Sequence, residues 1–129
     1  MVQQKNHSWQ SLIVAQEEHS DRLSRLWSPV SHLNSVLNSP ELREAYESCL
    51  PLLSDFGTWV GQHEGLYQAY QALSQSAEYA SLSQAQQKVI QNALRDFKLS
   101  GIGLADDKKQ RYGEIQSRLS ELGSTFSNN

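Results

Sequence analysis

The sequence predicts an all-α fold, a helical bundle of four to five helices joined by short loops. Apolar residues recur at steps of three and four along most of the 129 residues, the spacing that places them on one face of a helix. No segment alternates polar and apolar residues between turn signals, as a half-buried strand would. A chain of this length is expected to form a single domain, residues 1–129.

The first predicted helix covers about residues 8–37. Its apolar seam repeats every seven residues in two registers: Trp9, Leu23, Val30 and Leu37, and Leu12, Leu26 and Leu33. Gln16 and His19 interrupt that seam in its second heptad. Pro29 removes a backbone donor and crowds the preceding turn, so we expect a kink near this position.

A second start signal follows at Ser39-Pro40-Glu41. Ser39 can cap a helix, Pro40 suits the first helical position, and Glu41 complements the positive end of the helix dipole. Apolar steps of three and four continue from there, and Pro51 is expected to bend the run. Gly57 is expected to divide it into two helices, over about residues 40–56 and 58–74.

Residues 74–82 are the least periodic stretch and are predicted to be a loop. Ser83 and Gln86 match a capping box that begins a helix over about residues 83–100. Its buried face is predicted to hold five residues: Val89, Ile90, Ala93, Leu94 and Phe97. Gly101 is suited to a left-handed helix stop, with Ile102 making the accompanying apolar contact.

The last predicted helix covers about residues 106–127. Asp106 and Asp107 are acids suited to a helix N-terminus. The apolar steps are Tyr112, Ile115, Leu119, Leu122 and Phe126. The helical pattern is still running at the end of the sequence, so we expect the natural polypeptide to continue.

Composition and charge argue against several classes of function. The net charge is −3, from 11 basic and 14 acidic residues, and the basic residues are scattered, so no surface for nucleic acid is expected. No stretch approaches 18 apolar residues, and the first seven lack the apolar run of a secretory signal. Cys49 is the single cysteine and fits a reducing compartment, so we predict a cytoplasmic protein.

The histidines do not complete a metal site. His63-Glu64 invites comparison with the zinc-peptidase motif, which needs a second histidine four residues after the first; that position is Tyr67. His7, His19 and His32 have no cysteine or histidine at metal-ligand spacing either. We therefore predict neither catalytic nor metal-ligating residues in this chain.

Three glycines stand out by their spacing. Gly57, Gly61 and Gly65 recur every four residues, and on one helix they would form a ridge without side chains. Such a ridge permits close helix packing. The alternative is that it faces a channel along which a peptide backbone passes. The sequence leaves both interpretations open.

Ordered blocks of the sequence carry a resemblance to a known family. They include Ser-Pro-Val-Ser-His-Leu-Asn-Ser-Val at residues 28–36, Thr-Trp-Val-Gly-Gln-His-Glu-Gly-Leu-Tyr at 58–67, Leu-Ser-Gly-Ile-Gly-Leu at 99–104, and Gln-Arg-Tyr-Gly-Glu-Ile at 110–115. In this order they resemble the N-terminal region of the thimet oligopeptidase and neurolysin family of zinc metallopeptidases. The resemblance covers nearly the whole chain and weakens before about residue 20.

The resemblance implies that this chain is part of the N-terminal lobe of a larger helical enzyme that cleaves short peptides. In that family, a His-Glu-x-x-His helix and a downstream glutamate hold zinc in the C-terminal half, and no such motif occurs here. The chain alone is expected to be inactive and to form part of the substrate-channel wall. Its implied partners are the C-terminal catalytic part of the same polypeptide and oligopeptide substrates, with zinc as cofactor of the parent enzyme only. The alternative is a stand-alone helical protein–protein interaction module.

Overall fold

The computed structural model describes residues 6–129, and each regular element within that range is helical. A π-helical turn, Trp9–Val14, leads into six α-helices: α1 Ala15–Val36, α2 Pro40–Gly61, α3 Glu64–Ser74, α4 Ala77–Ser81, α5 Gln84–Leu99 and α6 Asp106–Asn128. The all-α prediction is confirmed. Residues 1–5, which contributed to the expectation that no secretory signal is present, lie outside the described residues.

Where local sequence signals predicted that a helix begins or ends, the structure contains that boundary. The Ser39 hydroxyl accepts the Leu42 N–H at the start of α2, and Ser83 forms a reciprocal capping box at the start of α5. Gly101 has a φ of 89°, and the Ile102 N–H donates to the Phe97 carbonyl oxygen at 3.2 Å. This is the Schellman arrangement that satisfies the free carbonyls at a helix end.

The structure corrects the expected break at Gly57. Helix α2 runs through Pro51 and Gly57 and ends at Gly61, because a glycine costs an exposed helix only about 1 kcal/mol. The interruption occurs at Gln62 and His63, where the His63 side chain accepts the Leu66 N–H in place of a helical carbonyl. The side-chain Nε2 of Gln62 donates to the Ser100 carbonyl oxygen at 3.2 Å.

Helix α1 is continuous through Pro29, as the single predicted helix requires, and the kink expected there stays a prediction. A further difference concerns the predicted loop. Residues 74–82 contain the short helix α4, which Ser76 caps by accepting the Tyr79 N–H. Its Glu78 carboxylate accepts the Trp9 N–H at 3.3 Å, which ties α4 to the π-helical turn. The local cap and this tertiary hydrogen bond together stabilise a helix that has no periodic signal of its own.

The core lies between the π-helical turn, α3 and α5. Leu12, Ile13, Leu73 and Ile90 are fully buried there, and each side chain of this kind contributes about 1.5–3 kcal/mol by leaving water. The remaining buried hydrophobic residues are Leu66, Ala69, Tyr70, Phe97 and Ile102. Of the apolar seam predicted for residues 8–37, Leu12 is buried in the core and Trp9 packs against it.

Helices α1 and α6 both pack on α2 and form a second, thinner layer. Trp27 of α1 stacks on Tyr46 of α2, with ring centroids 5.1 Å apart. At the far end of α6, the Asn128 amide nitrogen donates to the Glu47 carboxylate at 2.9 Å. Among the described residues, α2 and α6 contribute no buried side chain.

Several residues predicted to lie on buried helix faces are exposed. Leu26 is 74% and Phe126 83% exposed, although both continue predicted apolar seams. Val89 of α5, predicted to be buried, is 40% exposed. The predicted apolar faces thus extend beyond the core that residues 6–129 form.

No helix within this range is sufficiently long and apolar to cross a membrane.

Candidate functional site

An open cavity of about 550 Å³ lies between α1 and α2, at the start of α3. Seven of its lining residues are apolar: Leu23, Leu52, Leu53, Phe56, Trp59, Val60 and Leu66. The polar lining residues are Gln16, His19, Ser20 and His63. No carboxylate or thiol is part of this described lining, which is mainly apolar.

At the edge of this cavity, His63 has a structural role as the cap of α3. Its Nδ1 atom accepts the Leu66 N–H at 3.1 Å and caps α3. The imidazole also makes an edge contact with the Trp59 ring, with centroids 5.0 Å apart. Within residues 6–129, no group of three or more His, Cys, Asp or Glu side chains is arranged to hold a metal ion.

A second groove of about 710 Å³ lies between α1 and α6, with α2 as its floor. Its apolar lining residues are Leu23, Trp27, Leu50, Leu53 and Leu119. Leu23 and Leu53 also line the first cavity, so the two form one apolar trough along α2. We refer to the combined lining as the α2 trough.

The structure separates the three glycines on which a ridge was predicted. Gly57 and Gly61 lie on α2, whereas Gly65 follows the interruption and lies in the first turn of α3. The three therefore do not form one continuous ridge. A Cβ atom on Gly61 would lie 2.8 Å from the Cβ atom of Ser100, whereas one on Gly57 would meet no atom within 4 Å. The suggested channel-facing role of these glycines stays a prediction.

The end of α2 is tied to α6 beside this close approach. The Gln62 amide nitrogen also donates to the Lys109 carbonyl oxygen at 3.4 Å. The Lys109 ammonium lies 3.3 Å from a Glu64 carboxylate oxygen, with the lysine side chain largely buried. These contacts join the start of α3 to the start of α6 and hold the two layers together.

Comparisons with known proteins now give the family. The family model described as Neurolysin/Thimet oligopeptidase, N-terminal domain, matches residues 1–109. The chain belongs to this family. This match places α1 to α5 within the neurolysin/thimet oligopeptidase N-terminal domain, and most of α6 follows the matched range.

Individual proteins with similar sequences support the same family assignment. The chain is 64% identical to oligopeptidase A of Haemophilus influenzae over 129 residues, which is 100% of this chain and 19% of that protein. It is 63% identical to oligopeptidase A of Escherichia coli over 123 residues, 95% of this chain and 18% of that protein. A probable cytosolic oligopeptidase A of Arabidopsis thaliana is 37% identical over 122 residues, 95% of this chain and 17% of that protein. The chain thus spans less than a fifth of the length of these relatives.

Two features of this family member were missed in the sequence. Leu23 and Leu119, which line the α2 trough, were assigned only to the apolar faces of their helices, and Trp59 was not assigned a role. Trp59 is 60% exposed, and its position one step away from the apolar face of α2 was the signal available. His63 was not assigned a structural role either, because its capping of α3 has no strong sequence signature, since Ser, Thr, Asp and Asn are the usual caps.

Cys49 and Tyr70 are two further residues with ionisable side chains. Cys49 is a free, half-buried thiol on α2. Tyr70 is buried against Phe97, with ring centroids 5.5 Å apart. Burial, with a smaller effect of the Glu17 carboxylate, raises the pKa of Tyr70 to about 12. A phenol in this state is neutral at physiological pH and acts as a core residue.

Proposed function

We propose that this chain is the non-catalytic N-terminal domain of a zinc metallo-oligopeptidase that hydrolyses short peptides. The observation that carries this proposal is the combination of high identity and small coverage. The chain is 64% identical to an oligopeptidase A but corresponds to only 19% of its length. Peptide hydrolysis then belongs to the parent polypeptide, and its catalytic groups lie outside residues 6–129.

The composition of the trough and cavities supports a non-catalytic role. The α2 trough is lined mainly by apolar side chains, with two histidines, and its described lining contains no carboxylate. The described residues also lack a cluster of ligands that fits zinc, so we assign no step of zinc chemistry to this chain. In the parent enzyme, zinc would polarise the scissile carbonyl and a bound water.

The domain's contribution in this proposal is part of the substrate-channel wall. A wall built of helices excludes folded proteins and admits flexible oligopeptides. Its exposed apolar residues would contact the C-terminal catalytic part of the same polypeptide, because patches of this kind on a soluble domain usually mark an interface. We place the parent enzyme in the cytoplasm, which the single free thiol supports.

The gene itself tests this proposal. Reading the frame beyond the codon for Asn129 should reveal a continuing polypeptide that contains a His-Glu-x-x-His motif. The encoded longer protein should bind zinc and cleave an unstructured reporter peptide. It should leave the same peptide intact when that peptide lies within a folded protein. A stop codon directly after Asn129 would instead favour the stand-alone interaction module.

A further inference from the structure

Helix α6 presents its apolar side to solvent. Apart from Tyr112, the half-buried residues of α6 are small or polar: Lys109, Gly113, Gln116, Ser117, Ser120, Ser124 and Asn128. The stripe of Ile115, Leu119, Leu122 and Phe126 is 43%, 56%, 48% and 83% exposed, respectively. A helix on the surface of a finished domain has the opposite arrangement.

The exposed stripe borders the α2 trough. Leu119 lines the groove between α1 and α6, and Leu23 lines the same groove from α1. Leu53 of α2 lies at its floor. Three helices side by side with an open apolar groove have the form of a four-helix bundle that lacks one member.

The lining of this trough defines the chemistry of what covers it. Its described residues include no Asp, Glu, Lys or Arg, so a charged peptide would find no partner for its charges. An amphipathic helix with an uncharged apolar stripe matches the groove, because aliphatic side chains of facing helices interdigitate. Polypeptide to supply such a helix is available, since the relatives are far longer than this chain, which covers 19% and 18% of two of them.

We propose that a helix from the part of the same polypeptide that follows Asn129 lies in the α2 trough, against Leu23, Leu53 and Leu119. This inference rests on the proposed function, because it requires a longer polypeptide. It goes further by naming the surface through which the domain is joined to the remainder. The occupant is a permanent structural helix, not a peptide substrate or a second copy of the chain.

Thiol labelling tests whether the trough is covered. Leu119→Cys, in a Cys49→Ser background, would be compared in the 129-residue chain and in the longer polypeptide. We expect maleimide to label Cys at position 119 at least about tenfold more slowly in the longer polypeptide, because a covered thiol reacts only in locally open states. Far-UV circular dichroism would verify that each variant is folded, and labelling in urea would normalise the rates.

A matched control comes from the neighbouring position. The Arg118 side chain is 66% exposed and borders clefts on the other side of α6, beside Glu47 and Asp55. Arg118→Cys should be labelled at similar rates in both proteins. Equal rates for position 119 in both proteins would overturn the inference, and so would equal protection of positions 118 and 119.

A cross-link identifies the occupant. A photoreactive phenylalanine analogue in place of Leu119 in the longer polypeptide should cross-link to a segment of the same molecule after Asn129. A cross-link to a second copy, or one that an added oligopeptide abolishes, would overturn the inference. Peptide hydrolysis measured in the same preparation separates the two proposals. Hydrolysis without protection of position 119 contradicts only the trough helix, and protection without zinc or hydrolysis contradicts only the proposed function.

Discussion

The Nδ1 atom of His63 lies 3.1 Å from the backbone nitrogen of Leu66, and this hydrogen bond begins α3. The N–H that it satisfies would otherwise have no helical partner, because the first four N–H groups of a helix lack an acceptor within it. Since Leu66 is buried in the core, water does not easily replace the imidazole. The cap therefore couples the interruption after α2 to the packing of α3.

Loss of this cap should destabilise the domain. We expect His63→Ala to lower the free energy of unfolding by about 0.5–2 kcal/mol, the usual cost of removing a capping side chain. His63→Asn should retain most of the stability, because an amide oxygen can accept the same N–H. Urea denaturation followed by circular dichroism measures the difference. His19→Ala, at an exposed position lining the same cavity, is the control and should be close to neutral.

Gly61 and Gly57 should respond to alanine in opposite directions. A Cβ atom on Gly61 would lie 2.8 Å from the Cβ and Oγ atoms of Ser100, so Gly61→Ala should cost about 1–3 kcal/mol through overpacking. Gly57→Ala places its methyl group in open space and should stabilise α2 by about 0.5–1 kcal/mol, the helical advantage of alanine over glycine. Thermal denaturation of both variants measures the contrast. Equal effects would show that α2 does not approach Ser100 closely.

The left-handed conformation of Gly101 gives a second glycine pair. Its φ of 89° is unfavourable for an L-residue by roughly 1–2 kcal/mol, and an added Cβ would also lie 2.8 Å from the Cδ1 atom of Leu104. Gly101→Ala should therefore lower the midpoint of urea unfolding. Gly103→Ala is the control, because a Cβ there would meet nothing within 4 Å. A neutral Gly101→Ala variant would contradict the Schellman stop of α5.

Stability should decline at high pH because of Tyr70. Its folded-state pKa is raised from 10.0 to about 12, so its neutral form is favoured by folding. The contribution is fully present below pH 10 and is lost as the pH rises towards 12, by at most about 3 kcal/mol. Urea midpoints measured across this range should fall less steeply in Tyr70→Phe than in the wild type. Tyr112→Phe, at a half-buried position of α6, should retain the wild-type slope.

Local signals explain which parts of the fold could be predicted. The starts at Ser39 and Ser83 and the stop at Gly101 depend on residues a few positions apart, and the structure contains all three. The break at Gln62 could not be located in this way, because the side-chain amide finds its acceptors in Ser100 and Lys109, far along the chain. A pattern that treats Gly57 as a breaker cannot include these contacts.

The exposed seams were unpredictable for a different reason. Periodicity shows that Leu119 and Phe126 lie on one face of α6, but it does not show what covers that face. In residues 6–129 nothing buries them, and Phe126 is 83% exposed. The trough follows from the same fact, since its residues carry the signal of a core but surround an open groove. The sequence therefore predicts the helices better than it predicts the use of their surfaces.

The most direct test of the central claim is a paired measurement of zinc content and peptide hydrolysis on the purified 129-residue chain. We predict that the folded chain retains no stoichiometric zinc after dialysis and does not cleave an unstructured reporter peptide when zinc is added. Folding would be verified by circular dichroism, and the longer polypeptide, assayed in parallel, is the positive control. Stoichiometric zinc together with hydrolysis by these 129 residues alone would contradict the assignment of this chain as the non-catalytic domain.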